Sequence, residues 1–582
     1  MRLQALQPLK DTPSTPTKIG VFDIETINWT EPYALGFYDG DNLKIFDGRE
    51  CIKLFLEEFL RRKYAGLIVY AHNGGKFDFS FILDEIMKFE DEYKIEPMRS
   101  GARILQIKFT KNKQSWILRD SMSIFNNFSL AKLTKNFEVE SLKGDFDHNK
   151  INWDNWEDLK PEWEPYLTND CLGLHQVMTK FEQFLIENFG VDLHKNITLA
   201  QISMRVFRKK HLKIKIPNYI TQEDDIRKSY YGGRTEIFKT YGENLNYYDI
   251  NSLYPYVMHK YKMPVGVPRL TYAMRVHEFG IAHAQVYVPE HIKVPVLPYR
   301  SESGKLIFPT GRFSGWWCTP ELKKAVEIGC KVKIIKGYLF EQEHLFKGYI
   351  EDLYKIKQNS KSGSVDYITS KLLMNSLYGK FGQRRERQQV IINPEDTTGL
   401  EPLDFEGVSG MYLKKGFSQA CHIVPAISSM ITCYARLHLY EFLSKCEPYY
   451  CDTDSIITKY VLETSPLLGA MKLEEEIKQG IFLLPKMYAL TTKNGEYIKS
   501  KGFAKSKFTF GQFLNALETG NMDEFKTSQH KIATPFASMR RNKNFVSMID
   551  FKRSVKSTYD KREIVARYNT KPLNIIEKAE DL

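Results

Sequence analysis

Two short acidic pairs carry the clearest chemistry in this chain. In "YYCDTDSIITKY", Tyr449 to Tyr460, Asp452 and Asp454 flank Thr453 inside an aromatic and β-branched frame that reads as a buried strand or hairpin. Burying two like charges that close is costly unless a cation offsets them. In "VFDIETIN", Asp23 and Glu25 stand two apart on an apolar strand, so both side chains leave the same face. A hard divalent cation takes such oxygen ligands. Taken alone, the Asp23 and Glu25 pair also fits a strand end with two exposed acids.

The elements that must position these acids follow from the pattern. "KIGVFDIETI", "GLIVYAHN", "ARILQIKFT" and "SWILRDSM" read as strands, and "IKLFLEEFLRRKY" and "CLGLHQVMTKFEQFLIENF" as amphipathic helices. This α/β block ends near residue 188. A long middle rich in Pro and Gly shows no strong period. A helical stretch follows from Ser364 ("SVDYITSKLLMNSLYGKF"), then a polar, loop-like stretch from Arg384 to Gly416. A helix-like segment, Ala426 to Leu443, precedes the second acidic pair. Residues 526–571 hold 12 Lys/Arg against 3 Asp/Glu, a duplex-gripping surface or a solvated helical face.

At 582 residues the chain exceeds one core, and two or more domains are expected. Its 42% hydrophobic and 26% charged content is that of a globular protein, and a net charge of +12 suits a nucleic-acid partner without requiring one. Eight scattered cysteines form no CxxC pair, which argues against a zinc site and a disulfide framework. The first 18 residues lack a signal peptide's apolar core, and no uncharged run reaches membrane-spanning length. The expected location is the cytoplasm of the host cell.

Two further stretches join the first acidic pair. "AHNGGKFDFSFI" carries Asn73 and Asp78 around two glycines, and "EPYLTNDCLGL" carries Tyr166 and Asp170 at i, i+4, one face if helical. In this order, D-x-E, N-x-x-x-F-D and Y-x-x-x-D resemble the three exonuclease motifs of family B DNA polymerases. The resemblance implies that Asp23, Glu25, Asp78 and Asp170 hold two divalent metals roughly 4 Å apart, and that Tyr166 orients the attacking water. It also implies DNA contacts for Asn73, for Lys143 in "SLKGDFD", and for Ser121 with its neighbour Met122.

The downstream motifs resemble the polymerase half of the same family. "DINSLYP" makes Asp249 and the Ile250 carbonyl metal ligands, gives Ser252 and Leu253 backbone amides to a triphosphate, and sets Tyr254 under the sugar, where a ring excludes a 2′-hydroxyl. "KLLMNSLYGKFG" puts Lys371, Asn375 and Tyr378 at i, i+4 and i+7 on one helical face, for phosphate and base, with Gly379 at the template base. "YCDTDS" makes Asp454 a direct metal ligand and Asp452 a less direct one. "YYGGRTEIF" makes Tyr230, Gly232 and Gly233 template contacts between the two activities. "PKMY" assigns Lys486 and Tyr488 to the primer terminus, and "KSKGF" assigns Lys499 and Lys501 to phosphates.

The first exonuclease acid lies at residue 23, with no long domain before it, and about 110 and 70 residues separate the polymerase motifs. In these respects the chain resembles the protein-primed branch, of small-phage and linear-plasmid type. The implied fold is mixed α/β and α+β: an RNase H-like exonuclease domain plus a right-hand polymerase of palm, fingers and thumb. The expected domains are exonuclease 1–188, palm 189–258 and 419–510, a terminal-protein-region insertion 259–345, fingers 346–383, a second such region forming a hairpin 384–418, and thumb 511–582. The implied cofactor is Mg²⁺, two per active site, with Mn²⁺ as the alternative ion. The implied partners are a DNA primer-template, dNTPs and a terminal protein, for a monomer with no membrane association. A polymerase using a nucleic-acid primer or self-priming, and a non-catalytic DNA-binding relative, are the competing readings.

Overall fold

Ile19–Ile27 sets Asp23, Glu25 and Thr26 in an otherwise apolar run and is buried on both faces, as a central strand must be. It runs parallel to Ile68–Ala71, which runs parallel to Gln114–Asp120. The sheet continues through Glu31–Tyr38 to Leu43–Asp47 on one side, and through Arg103–Lys111 to Lys94–Ser100 on the other. The computed structural model describes residues 4–88, 92–142, 144–403, 410–503, 508–542, 544–555 and 559–577.

The helix that carries Tyr166 and Asp170 is longer than its apolar run suggested. It spans Lys160–Phe189 and packs across Ile19–Ile27 and Glu31–Tyr38. It ends at Gly190, whose φ of 62° closes it in the left-handed region. In the loop after Ile68–Ala71, a Cβ on Gly75 would lie 1.8 Å from the Ile104 carbonyl oxygen. Backbone cannot yield there. Gly75→Ala is expected to destabilise this module by about 3 kcal/mol, read as a lower melting temperature and earlier proteolysis of the first 190 residues.

In the stretch from Arg384 to Gly416, polar and loop-like in its sequence and expected as an inserted hairpin, the described residues hold two paired strands. Glu386–Ile392 pairs in register with Met411–Phe417. Ile392 also pairs with Ile95, so the hairpin extends the first sheet to ten strands. Val390, Ile392 and Met411 join the same apolar core as Phe55 and Phe79.

A second sheet of seven antiparallel strands holds the downstream acids. Its order is Thr235–Ile237, Pro448–Asp452, Ser455–Thr458, Tyr241–Ile250, Met471–Leu484, Met487–Thr492 and Gly495–Ser500. The buried helix Pro425–Leu443 packs against the short helix Leu253–Lys260, and one continuous core joins this region to the long helix of the first module.

The middle with no strong period is a five-stranded sheet: Met263–Thr271, Lys331–Glu343, Gly280–Val288, Thr310–Cys318 and Asn574–Ile576. Its last strand comes from the far end of the described chain and is parallel to Thr310–Cys318. Among the described residues of the basic stretch after residue 526, strands outweigh helix. Lys526–Ile532 pairs with Met548–Ser554 around the helix Pro535–Asn542, and Arg562–Ala566 pairs with Asn569–Pro572. A solvated helical face does not describe it. Among the described residues, no helix is long and apolar enough to cross a membrane.

Candidate active sites

Strand and helix periodicity bring the first carboxylates together. Asp23 and Glu25 leave one face of Ile19–Ile27, and Asp170 leaves the helix packed on it. One carboxylate oxygen from each lies within 4.8 Å of the others. Glu25 and Asp170 are 5% and 3% exposed. Three acids at that spacing, two buried and Asp23 partly exposed, all oxygen donors, fit a hard divalent cation. They open on a cleft of about 290 Å³, also lined by Tyr166, His72, His148, Phe77 and Trp29.

Asp78 starts the helix Asp78–Ile86 and stands just behind this set. Burial first, then the charges of Asp120 and Glu25, push its carboxyl up to about 8. Its Oδ1 is buried with no hydrogen-bond partner, which is costly for a carboxylate unless a cation or proton reaches it.

The other expected DNA contacts of this module do not themselves line this cleft. Asn73, at φ 68°, accepts a hydrogen bond from Arg103 Nη2 (3.0 Å), and Arg103 also pairs with the buried Asp120. Ser121 is fully buried, with Oγ 2.9 Å from His72 Nδ1. Met122 lines a separate cleft with Lys76, Arg103 and Asn126. Lys143 lies outside the described residues. His148 escaped sequence reasoning. Its Nδ1 is 3.4 Å from Glu25 Oε2, and its ring meets Tyr166 edge-on at 5.4 Å. It sits in a loop without period, where nothing in the sequence singles it out.

The second set forms on the seven-stranded sheet. Asp249 ends Tyr241–Ile250 and pairs with Ser455, directly after Asp454. The Ile250 amide donates to the Asp454 carbonyl at 2.7 Å, locking the two strands together at the acids. Burial first, then Asp454 and Glu474, push Asp249 up to about 7, while Lys472 and Lys371 act against the shift. Burial, then Asp452, raises Asp454.

Asp452 has its own partners. Lys486 Nζ reaches Oδ1 and Oδ2 at 2.5 and 2.6 Å, and Thr235 Oγ1 donates to Oδ1 at 3.0 Å. The Lys486 ammonium thus neutralises the acid that stands next to Asp454. Tyr488 is buried against Tyr450 and Phe482, while Lys499 and Lys501 are exposed on and just after the neighbouring edge strand.

Between the two acids, Thr453 has φ 66°, and its amide donates to the Arg234 carbonyl at 2.7 Å. Gly233 faces it: a Cβ there would lie 2.8 Å from Thr453 Cγ2 and 3.2 Å from its Cβ. Gly233→Ala is expected to displace Asp452 and Asp454 and slow nucleotide incorporation about tenfold, some 1.4 kcal/mol in barrier. Degradation of single strands should be unchanged, and single-turnover assays of both activities check this. Gly232 is exposed, and its carbonyl accepts from Arg436 Nη1 at 3.0 Å.

Ser252, at φ 52°, turns the chain into the helix Leu253–Lys260, leaving the Leu253 amide at its first turn. Tyr254 stacks on Tyr378 with centroids 4.5 Å apart and planes at 12°. Sequence reasoning gave these rings separate tasks; the structure makes them one wall. Tyr230 adjoins both, and its ring fills the space that a Cβ on Gly382 would need. Lys371 and Asn375 are exposed on Val365–Ser376, with Asn375 Nδ2 bonded to the Lys371 carbonyl (2.9 Å). Tyr378 begins a separate short turn, Tyr378–Phe381, after Leu377, and Gly379 there faces open space. Under the acids lie groups that no motif announced: buried Arg234 and Glu236, paired at 2.5 Å, with Arg562 3.7 Å from the same carboxylate.

The fold is mixed α/β, an exonuclease-type module joined to the palm, fingers and thumb of a right-hand polymerase. It superimposes on Phi29 DNA polymerase, solved in complex with primer-template DNA and incoming nucleotides, with a TM-score of 0.74 at 21% identity, covering 93% of this chain and all of that one. The family model of type B DNA polymerases, organellar and viral, matches residues 60–157 and 153–415. The chain belongs to that family. It is 32% identical to a probable DNA polymerase of Neurospora intermedia, over 84% of this chain and 59% of that protein. It is 28% identical to the DNA-directed DNA polymerase of Enterobacteria phage PRD1, over 83% and 85%. The chain spans about half the length of the Neurospora intermedia and Ascobolus immersus relatives, 59% and 44%.

Proposed function

We infer that this chain is a template-directed DNA polymerase with a 3′–5′ proofreading exonuclease, acting in protein-primed, strand-displacing synthesis of a linear genome. The observation that carries the reading is the meeting of Asp249 and Asp454, held together where the Ile250 amide donates to the Asp454 carbonyl and Asp249 pairs with Ser455, in a chain of this family, beside a separate cluster of Asp23, Glu25 and Asp170. Divalent ions, Mg²⁺ or Mn²⁺, held by Asp249, Asp454 and the Ile250 carbonyl and by Asp23, Glu25, Asp78 and Asp170, would supply Lewis acidity and charge neutralisation for phosphoryl transfer.

The chain's own groups do the rest. Lys486 offsets Asp452 and so holds Asp454 in place. Lys371, with the Ser252 and Leu253 amides, binds the triphosphate, and Asn375 flanks it. The Tyr254–Tyr378 wall packs against the nucleotide and leaves no space for a 2′-hydroxyl. Gly379 admits the template base. Tyr166 orients water in the exonuclease cleft, with Asn73, Ser121 and Lys143 near the single strand. Tyr230, Gly232, Gly233, Tyr488, Lys499 and Lys501 contact primer or template. The domain boundaries expected from the sequence stand as part of this proposal, with a terminal protein meeting the 259–345 and 384–418 regions.

The test uses the purified chain with Mg²⁺. Extension of a recessed primer and removal of a 3′ single strand are both expected, and both should stop with EDTA. Transfer of a deoxynucleotide to a protein hydroxyl distinguishes protein priming from a nucleic-acid primer. Metal-dependent DNA binding without turnover would sink the catalytic reading.

A further inference from the structure

The turn between Asp452 and Asp454 is strained and is held from outside. The Asp454 amide donates to the Asp452 carbonyl at 2.7 Å, closing a tight turn around Thr453 at φ 66°. A β-branched residue rarely adopts that backbone, and surrounding contacts must hold it there. One such contact is the Thr453 amide on the Arg234 carbonyl, at 2.7 Å. Arg234 leads into the edge strand Thr235–Ile237, where Thr235 pairs with Asp452.

The Arg234 side chain is fixed in its turn. It is 1% exposed, with Glu236 at 0% and Arg562 at 2%. Arg234 Nε and Nη2 reach Glu236 Oε2 at 2.7 and 2.5 Å, and Nη1 donates to the Pro295 carbonyl at 2.7 Å. Arg562 Nη1 lies 3.7 Å from the other oxygen, Glu236 Oε1. Arg562 Nη2 donates to the Lys293 carbonyl at 3.0 Å, and Nε to Thr570 Oγ1 at 2.9 Å. Thr570 Oγ1 donates to the Ile237 carbonyl at 2.9 Å. One carboxylate and two guanidinium groups thus tie together residues 234–237, the loop at 293–295 and the stretch 562–570.

Burying three charges is costly, and apolar side chains of the same volume would fill the space at less cost. They would not donate to the Pro295 and Lys293 carbonyls, nor fix a carboxylate between them. Directional bonds are what this group adds to the packing around it.

We propose that Arg234, Glu236 and Arg562 are positioning residues for nucleotide transfer. They fix the segment whose carbonyl holds Thr453, and so set where Asp454 stands relative to Asp249. They act through the backbone and not on the nucleotide. The assignment rests on the polymerase reading and deepens it.

The experiment uses the full chain and the variants Glu236→Gln, Arg562→Met, Arg234→Met and Arg234→Lys. Glu236→Gln keeps the side chain's shape, so it carries the test if Arg234→Met fails to fold. Single-turnover incorporation across dNTP concentrations separates rate from nucleotide affinity. The maximal rate should fall about tenfold in Glu236→Gln, Arg562→Met and Arg234→Met, with half-saturating dNTP changed less than about twofold. Arg234→Lys keeps a charge beside Glu236 and should recover about threefold of that loss. Degradation of a 3′ single strand by the same molecules should stay within about twofold of the wild type. Hydrogen exchange, followed by mass spectrometry without substrate, should quicken about tenfold in peptides covering Thr453 and hold in those covering Ile19–Ile27.

A wild-type maximal rate in Glu236→Gln and Arg562→Met overturns the proposal. An equal fall in extension and degradation, which a merely structural role would give, also overturns it, as does unchanged exchange at Thr453. If the wild-type chain extends no primer, the polymerase reading falls, while exchange at Thr453 still decides whether these residues hold the turn.

Discussion

Asp454→Ala is expected to abolish primer extension, by at least about 10³-fold in rate, while 3′ single-strand degradation stays at the wild-type level. The carboxylate faces Asp249 across two strands joined by the Ile250 amide and the Asp454 carbonyl. Removing it halves the charge available to cations there and leaves the strand pairing, which is backbone to backbone. Asp454→Asn separates charge from shape: it keeps the side chain's volume and should lose nearly as much. Asp452→Asn should cost less than either, because that acid already holds Lys486 and Thr235. Primer extension and exonuclease rates on the same preparations decide the matter. Loss of degradation with Asp454→Ala would mean that the two carboxylate sets are not independent sites.

Asp23→Ala is expected to do the reverse. Degradation of a 3′ single strand should fall by at least about 10³-fold, and extension should persist with a higher misincorporation rate. Asp23, Glu25 and Asp170 share one oxygen cluster, so Asp170→Ala should match it, and the double change should add little, since the three act as a unit. Asp78→Asn informs on the fourth acid. Its buried carboxyl is pushed up to about 8 with one oxygen unbonded. If a cation offsets it, Asp78→Asn should lose activity like Asp23→Ala, while in metal-free buffer the melting temperature should stay nearly unchanged, because burial already holds that carboxyl protonated at neutral pH. Unaffected degradation in both Asp23→Ala and Asp170→Ala would end the exonuclease reading.

Local spacing made much of the two sites legible. Asp23 and Glu25 are two apart on a strand, and Tyr166 and Asp170 are four apart on a helix. Backbone geometry alone puts each pair on one face. Lys371 and Asn375 follow the same rule, and it loosens at Tyr378, where a second short turn begins. The middle strands were illegible for the opposite reason. Gly280–Val288 pairs with segments beginning at residues 310 and 331, so its partners are set by pairing across the chain and not by any local period.

The sequence by itself determined which side chains can do chemistry and which motifs group them, because residue type and short-range periodicity are properties of the chain. Only the tertiary structure decided which groups meet. Asp249 and Asp454 come together, Lys486 covers Asp452, His148 enters the cleft of Asp23, Glu25 and Asp170, and the hairpin beginning at Glu386 adds itself to the first sheet. Those contacts depend on strand pairing and helix packing between segments tens to hundreds of residues apart. Register and burial fix them collectively, and no local pattern encodes either.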